Sequence, residues 1–357
     1  MEHPQKSLKP VVNRRDFLRS AVMGIAVAPF LPAILTNQSQ PETIDVTGGT
    51  LTAMGDKWIE IGAGEQLRRF SIDSHTSIWK GGEVSPSILL KGDDIMVRFL
   101  TGQNLALRIW SNLTRIDATV AQVTKNGYIL KTGGPHTAER ELLLAVNENT
   151  QFGTMGGNFL APAKLAVGEF VDAIGEKIPE GVRGTLLFAE KNQPKGSVKP
   201  GPNKIEQLPN GLCTYHYLGY AGWFNCATGA GRCGCNTANN NECAWPAMDT
   251  CGCCSPSCCD CSKGCKNQVY LACNYIVYVL DYCHNTNRAI KIKDCGPCQV
   301  ANCNQCQSGT LCPRTCGDCR GLTSPVVDLT RPTFAAFGYD PATRGCFSCD
   351  ASVTVVC

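Results

Sequence analysis

The chain has 357 residues, 43% of them hydrophobic, and a formal net charge of +3. That length predicts two or three domains. Lys and Arg are dispersed among Asp and Glu with no basic stripe, which argues against nucleic acid as a partner.

The N-terminal segment, residues 1–40, contains NRRDFLRSAVMGIAVAPFLPAIL from Asn13. Arg14 and Arg15, then Phe17-Leu18, then a weakly apolar stretch from Ala21 to Leu35 resemble a twin-arginine export signal. The stretch is short of the roughly 20 residues of a membrane span, and Pro29 and Pro32 interrupt it. The resemblance implies the twin-arginine export machinery as a partner and a periplasmic, cell-surface or extracellular destination. A cleaved signal and an uncleaved anchor both stay open. No other segment reads as a membrane span.

Residues 41–116 and 117–192 read as two copies of one unit. DVTGGTLTAMGDKWIEI from Asp45, TSIWKGG from Thr76 and KGDDIMVRF from Lys91 recur as DATVAQVTKNGYILK from Asp117, TQFGTMGG from Thr150 and VGEFVDAIG from Val167. The offset is roughly 72 to 76 residues, the size of a small domain. Short alternating runs separated by Gly-containing turns predict antiparallel strands, five or so per copy, closing as two small β-barrels. The copies resemble the tandem small barrels of exported bacterial proteins and read as a spacer or adaptor. His75 and His136 read as surface residues. Residues 193–212, rich in Pro, Gly, Lys and Asn, read as a semi-stiff linker.

All 24 cysteines lie between Cys213 and Cys357. The even count and the oxidising destination predict twelve disulfides. Four CxxC pairs, Cys295/Cys298, Cys303/Cys306, Cys316/Cys319 and Cys346/Cys349, carry the alternative of a metal or electron-carrying centre; the first three pairs are its candidate ligands. Without that alternative, no metal or cofactor is expected. Strands are expected over QVYLACNYIVYVLDYC (268–283), RAIKIKDCGPC (288–298) and ASVTVVC (351–357), with Ile290 and Ile292 on one face.

The stretch VVDLTRPTFAAFG, residues 326–338, is a strand running into a short helix. Pro332 fits only the first turn, which makes Thr330 the N-cap and frees Asp328 from capping. Phe334 and Phe337 then share a face, and Gly338 ends the helix.

Together with KIKDCGPC and GYAGWFN…CGCNTANNNECAWPAM, this stretch resembles the double-psi β-barrel of expansins, barwin, family 45 endoglucanases and rare-lipoprotein-A-type lytic enzymes, over residues 213–357. The fold class expected is therefore all-β: two tandem small β-barrels, then a Cys-rich six-stranded double-psi β-barrel. The resemblance implies Asp328 as the general acid of the hydrolytic members, with Asp294 as the other matched aspartate. Inverting hydrolysis needs a second carboxylate about 6.5–9.5 Å away. The first strand, TYHYLGY, has none; His216 is its one titratable candidate besides tyrosines. Tyr215, Tyr217, Tyr220, Trp223 and Trp245 are candidate sugar-stacking platforms. The implied partner is cell-wall polysaccharide or peptidoglycan. Expansin-like binding or remodelling, glycan cleavage by Asp328, and metal or electron carriage are the three functions left open.

Overall fold

The structure, a computed structural model, describes residues 43–132, 140–153, 159–189, 204–226, 228–245, 269, 271–295 and 325–357. The twin-arginine segment, His136, Cys298, Cys303, Cys306, Cys316 and Cys319 lie outside these, as does the side chain of Cys295.

The architecture is all-β. The first repeat contributes β1 (Ile44–Gly55), β2 (Trp58–Ala63), β3 (Gln66–Ser71), β4 (Ser77–Trp79), β5 (Asp94–Leu100) and β6 (Leu105–Ser111). The second contributes β7 (Leu113–Thr124), β8 (Gly127–Thr132), β9 (Arg140–Ala145), β10 (Gln151–Gly153), β11 (Phe159–Leu160), β12 (Phe170–Ile178) and β13 (Gly181–Ala189). Each closes as a five-stranded barrel, β3-β2-β1-β5-β6 through β3–β6 and β9-β8-β7-β12-β13 through β13–β9. In each, a short extra strand, β4 or β10, runs parallel to the last one. Even the bulge recurs, at Leu51/Ala53 in β1 and Val120/Gln122 in β7. The internal duplication is thus a duplication of topology.

The repeats meet at Asn112, whose φ of 53° turns the chain from one barrel into the next. An Asn tolerates that left-handed conformation. Its side chain then ties the corner, accepting from Asp94 N and donating to Asp93. The crossover falls four residues before the 116/117 boundary expected from sequence.

The third sheet holds β14 (Lys204–Gln207), β15 (Leu212–Phe224), β16 (Glu242–Trp245), β17 (Ile276–Asp281), β18 (Thr286–Cys295), β19 (Pro325–Thr330) and β20 (Cys346–Val356), with helix α1 (Arg331–Ala336) after β19. Six strands close in the order β15-β19-β16-β18-β17-β20, and β14 adds to the edge of β15. That cyclic order is unchanged when each strand is exchanged with the one three places later. The parallel pairs, β15–β19 and β16–β18, exchange with each other. The barrel therefore has internal two-fold character. Because β14 pairs with β15, residues 204–207 are sheet rather than linker.

The repeats, read from sequence as a spacer or adaptor, are not set apart from the third barrel. Val46, Trp79, Met96 and Trp110 of the first barrel, and Ile174, Leu186 and Phe188 of the second, share one apolar cluster with Trp223, Phe334 and Phe347 of the third. Residues 42–357 form one compact unit. Arginines stitch the seams: Arg98 donates to Ala335 O and Tyr339 O at the end of α1, and Arg331 reaches Leu113 O and the Asp94 carboxylate.

The disulfides Cys213–Cys357, Cys226–Cys235 and Cys233–Cys273 staple the third barrel, and Cys346 is also disulfide-bonded. Cys243 and Cys283 remain thiols. Complete pairing into twelve disulfides is therefore not what the structure has. Cys243 is fully buried in the core, where no second sulfur reaches it among the described residues, and burial pushes its thiol pKa up. Disulfides, with no described helix long and apolar enough to cross a membrane, are compatible with an extracellular or periplasmic location.

Candidate functional site

Strand periodicity decides which way Asp328 points. Its neighbours Val327 and Leu329 are both fully buried in the barrel core. Side chains alternate along a strand, so Asp328 faces outward. Leu329 pairs with Trp223 and Cys243, which are buried on the same inner face.

The outward face carries a row across four strands. Gly222 on β15 pairs with Asp328 on β19, Asp328 with Ala244 on β16, and Ala244 with Asp294 on β18. Directly paired residues share a face. Two aspartates thus flank one alanine, their Cα atoms about 9.5 Å apart given a strand spacing of about 4.8 Å. Gly222 is required at the end of the row, because a Cβ there would lie 2.4 Å from Asp328 Oδ1.

Asp328 is only partly exposed. Burial pushes its carboxyl up to about 7. Arg115 pulls the other way, while Asp117 and Asp172 add to the rise. Arg115 comes from β7 of the second repeat and is locked in place. Its Nε donates to Asp172 Oδ1 at 2.8 Å, its Nη2 pairs with Asp172 Oδ2, and its Nη1 donates to Trp223 O at 2.6 Å and Gly345 O at 3.3 Å. Burial lowers the pKa of this guanidinium, but the carboxylates of Asp172, Asp328 and Asp117 together raise it, so it stays charged.

Asp294 Oδ1 accepts from the backbone N of Arg232 at 3.0 Å, in a loop closed by Cys226–Cys235. The sulfurs of Cys226 and Cys235 gather beside Asp294 at metal-ligand distances. Because they are bonded to each other, they are not thiolates and offer no cation site. Cys346 and Cys349, the CxxC pair within the described residues, lie three apart on β20 and so point to opposite faces. They do not converge on one ion.

His216 sits elsewhere. It is six residues before Gly222 on β15, about 20 Å along the strand. Its Nδ1 is 2.8 Å from Asp350 Oδ2, and its buried Nε2, 3.7 Å from Glu206 Oε2, makes no hydrogen bond among the described residues. Burial raises the Asp350 carboxyl, against the pull of His216. The structure therefore joins Asp328 with Asp294 and leaves His216 out.

The aromatic candidates are mostly core. Tyr217, Trp223 and Trp245 are at most 1% exposed and Tyr220 is 5% exposed. Tyr217 meets Trp245 edge-on with ring centroids 5.5 Å apart, and its hydroxyl accepts from Val269 N. None of these four offers a ring face to a sugar. Tyr215 is half-buried.

Sequence reading missed Arg115, Asp172, Gly222 and Ala244. The two small residues stood within recognised motifs, GYAGWFN and ECAWPAM, where their spacing from Asp328 is not visible. Arg115 had no local signal, since its partners lie 57 and 108 residues away. No protein-family model matches the chain, and no curated protein is similar to it.

Proposed function

We propose that the chain is an exported cell-envelope protein that binds or remodels cell-wall polysaccharide, with the row Gly222–Asp328–Ala244–Asp294 as its site. The strand order of the third barrel, symmetric under a three-strand exchange, supports reading that barrel as a double-psi barrel. The row is the observation that carries the function. Two carboxyls stand on one strand face, partly exposed, beside the buried Gly222 and Ala244, whose side chains are absent or a single methyl. A carboxyl can accept from a sugar hydroxyl when ionised and both donate and accept when protonated.

A second reading, glycan cleavage, is favoured by one observation. A carboxyl held up to about 7 keeps a substantial protonated fraction at neutral pH, which a general acid needs. Asp294, two strands away on the same row, is the second carboxyl that an inverting mechanism requires. In that reaction Asp328 gives its proton to the leaving glycosidic oxygen, while Asp294 takes one from the attacking water.

Co-sedimentation with purified peptidoglycan and with cellulose tests both. Wild-type protein is expected in the pellet, and Asp328→Asn and Asp294→Asn in the supernatant. If the variants pellet like wild type, the row is not the site. Release of soluble reducing ends by wild type, abolished in Asp328→Asn, selects cleavage; binding without release selects the first reading.

A further inference from the structure

A cavity of about 380 Å³ opens where all three barrels meet, away from the Asp328 row. β1 and β2 form one wall, Thr114 and Lys177 of the second barrel another, and Asn225, Thr237 and Arg331 of the third barrel the last. Its size is that of a small-ligand site. No aromatic residue lines it, so any ligand there is held by hydrogen bonds rather than stacking.

Its polar groups have capacity left over. Arg331 is 6% exposed and uses Nη2 to fix Asp94 Oδ2 at 2.8 Å, while Nη1 binds Leu113 O. That leaves Asp94 Oδ1 without a hydrogen-bond partner among the described residues, on a side chain 49% exposed. Asn225 spends its Nδ2 on Thr114 Oγ1 and Arg115 O, so its Oδ1 is still an open acceptor. Lys177, an exposed residue, also lines the space, and no ion pair with it occurs among the described residues. At the mouth, Gly64, with φ +63°, has nothing within 4 Å of where a Cβ would stand.

Two acceptors and one cationic side chain around a space with no aromatic platform suit a ligand whose groups each donate and accept. Hydroxyls do this. The cavity also adjoins a second, of about 500 Å³, which shares Ala63 and is lined by Gln66, Asn236 and Asn239. Between them, Gly48 packs so closely on Thr237 O that a Cβ would come within 2.7 Å. The pair of cavities offers an extended chain two successive subsites along β1 and β2.

We infer that this junction is a second saccharide site, in which Asp94 and Asn225 accept from sugar hydroxyls and Lys177 donates to a sugar oxygen. It takes its ligand class from the proposed function but does not use Asp328. The role of the repeats is then to build half of a binding site. Preorganisation comes from the buried Arg331, which holds Asp94 before any ligand arrives.

Calorimetric titration of the full oxidised chain with N-acetylglucosamine tetrasaccharide and with cellotetraose tests the inference. Lys177→Glu removes the donor at an exposed position, and Thr50→Trp fills the cavity from an exposed strand position; melting temperature checks that both fold. Saturable binding of either probe is expected, weakened about tenfold or more, which is about 1.4 kcal/mol, in both variants. Unchanged affinity in both variants, or no saturable binding of either probe, overturns the site. Asp328→Asn, titrated in parallel, reports on the first site alone: loss there with Lys177→Glu unaffected rejects the junction while sparing the proposed function.

Discussion

At the residue scale the central fact is a carboxyl on a strand end that no cap uses. Thr330 does occupy the N-cap, with Pro332 in the first turn, as the sequence pattern predicts. Its hydroxyl, however, bonds Thr333 Oγ1 rather than a backbone N–H, because Thr333 in turn accepts from Glu242 N and ties α1 to β16. Asp328 is thereby left for the outer face. Its raised pKa fixes a sign. Between the unfolded value of about 4 and the folded value of about 7, the native state holds a proton that the unfolded chain has released. Stability from this group is complete at low pH and is lost as pH rises through that window. Asp328→Asn should flatten that fall, which melting temperature measured from pH 4 to 8 will check. Gly222→Ala places a methyl 2.4 Å from Asp328 Oδ1 and should displace the carboxyl, cutting polysaccharide co-sedimentation.

Elements were legible where a period spoke plainly. Ile290 and Ile292 are fully buried on one face of β18, and the five barrel strands of the repeat recur in both copies. Alternation also held the answer for the aromatics: Tyr217 and Trp223 share parity on β15, which is core parity once Ala221 is seen to be buried with them. What could not be read was the seam. The unbroken runs Ile95-Met96-Val97 and Leu186-Leu187-Phe188 signal burial on both faces of a strand. Ile95, Val97 and Leu187 fill their own barrels, while Met96, Leu186 and Phe188 fill the shared core. Sequence says that something covers them but not what. Arg115 belongs to the same seam. Arg115→Met leaves the Asp172 carboxylate, 6% exposed, without its partner and should cost about 3–5 kcal/mol. The Arg115→Met/Asp172→Asn double variant should recover part of that in denaturant midpoint.

At the scale of the whole molecule, three closed barrels behave as one body because they bury each other's outer faces. A chain of independent modules would melt in steps. The shared cluster, running from Val46 to Val353, predicts one calorimetric transition for residues 42–357, with no separate melting of the repeats. The Cys213–Cys357 bond closes a separation of 144 residues and ties the first barrel strand to the last. Its chain-entropy contribution is about 5 kcal/mol. Reduction should therefore lower that single transition rather than split it.

The account stands on two claims about Asp328: that its pKa is raised and that saccharide reaches it. The most direct measurement is an NMR titration of the Asp328 carboxyl carbon in the intact oxidised chain, with and without soluble peptidoglycan fragments. A midpoint near 7 that shifts when the fragments are added is the predicted result. A midpoint near the ordinary carboxylate value of about 4, unmoved by saccharide, would contradict it.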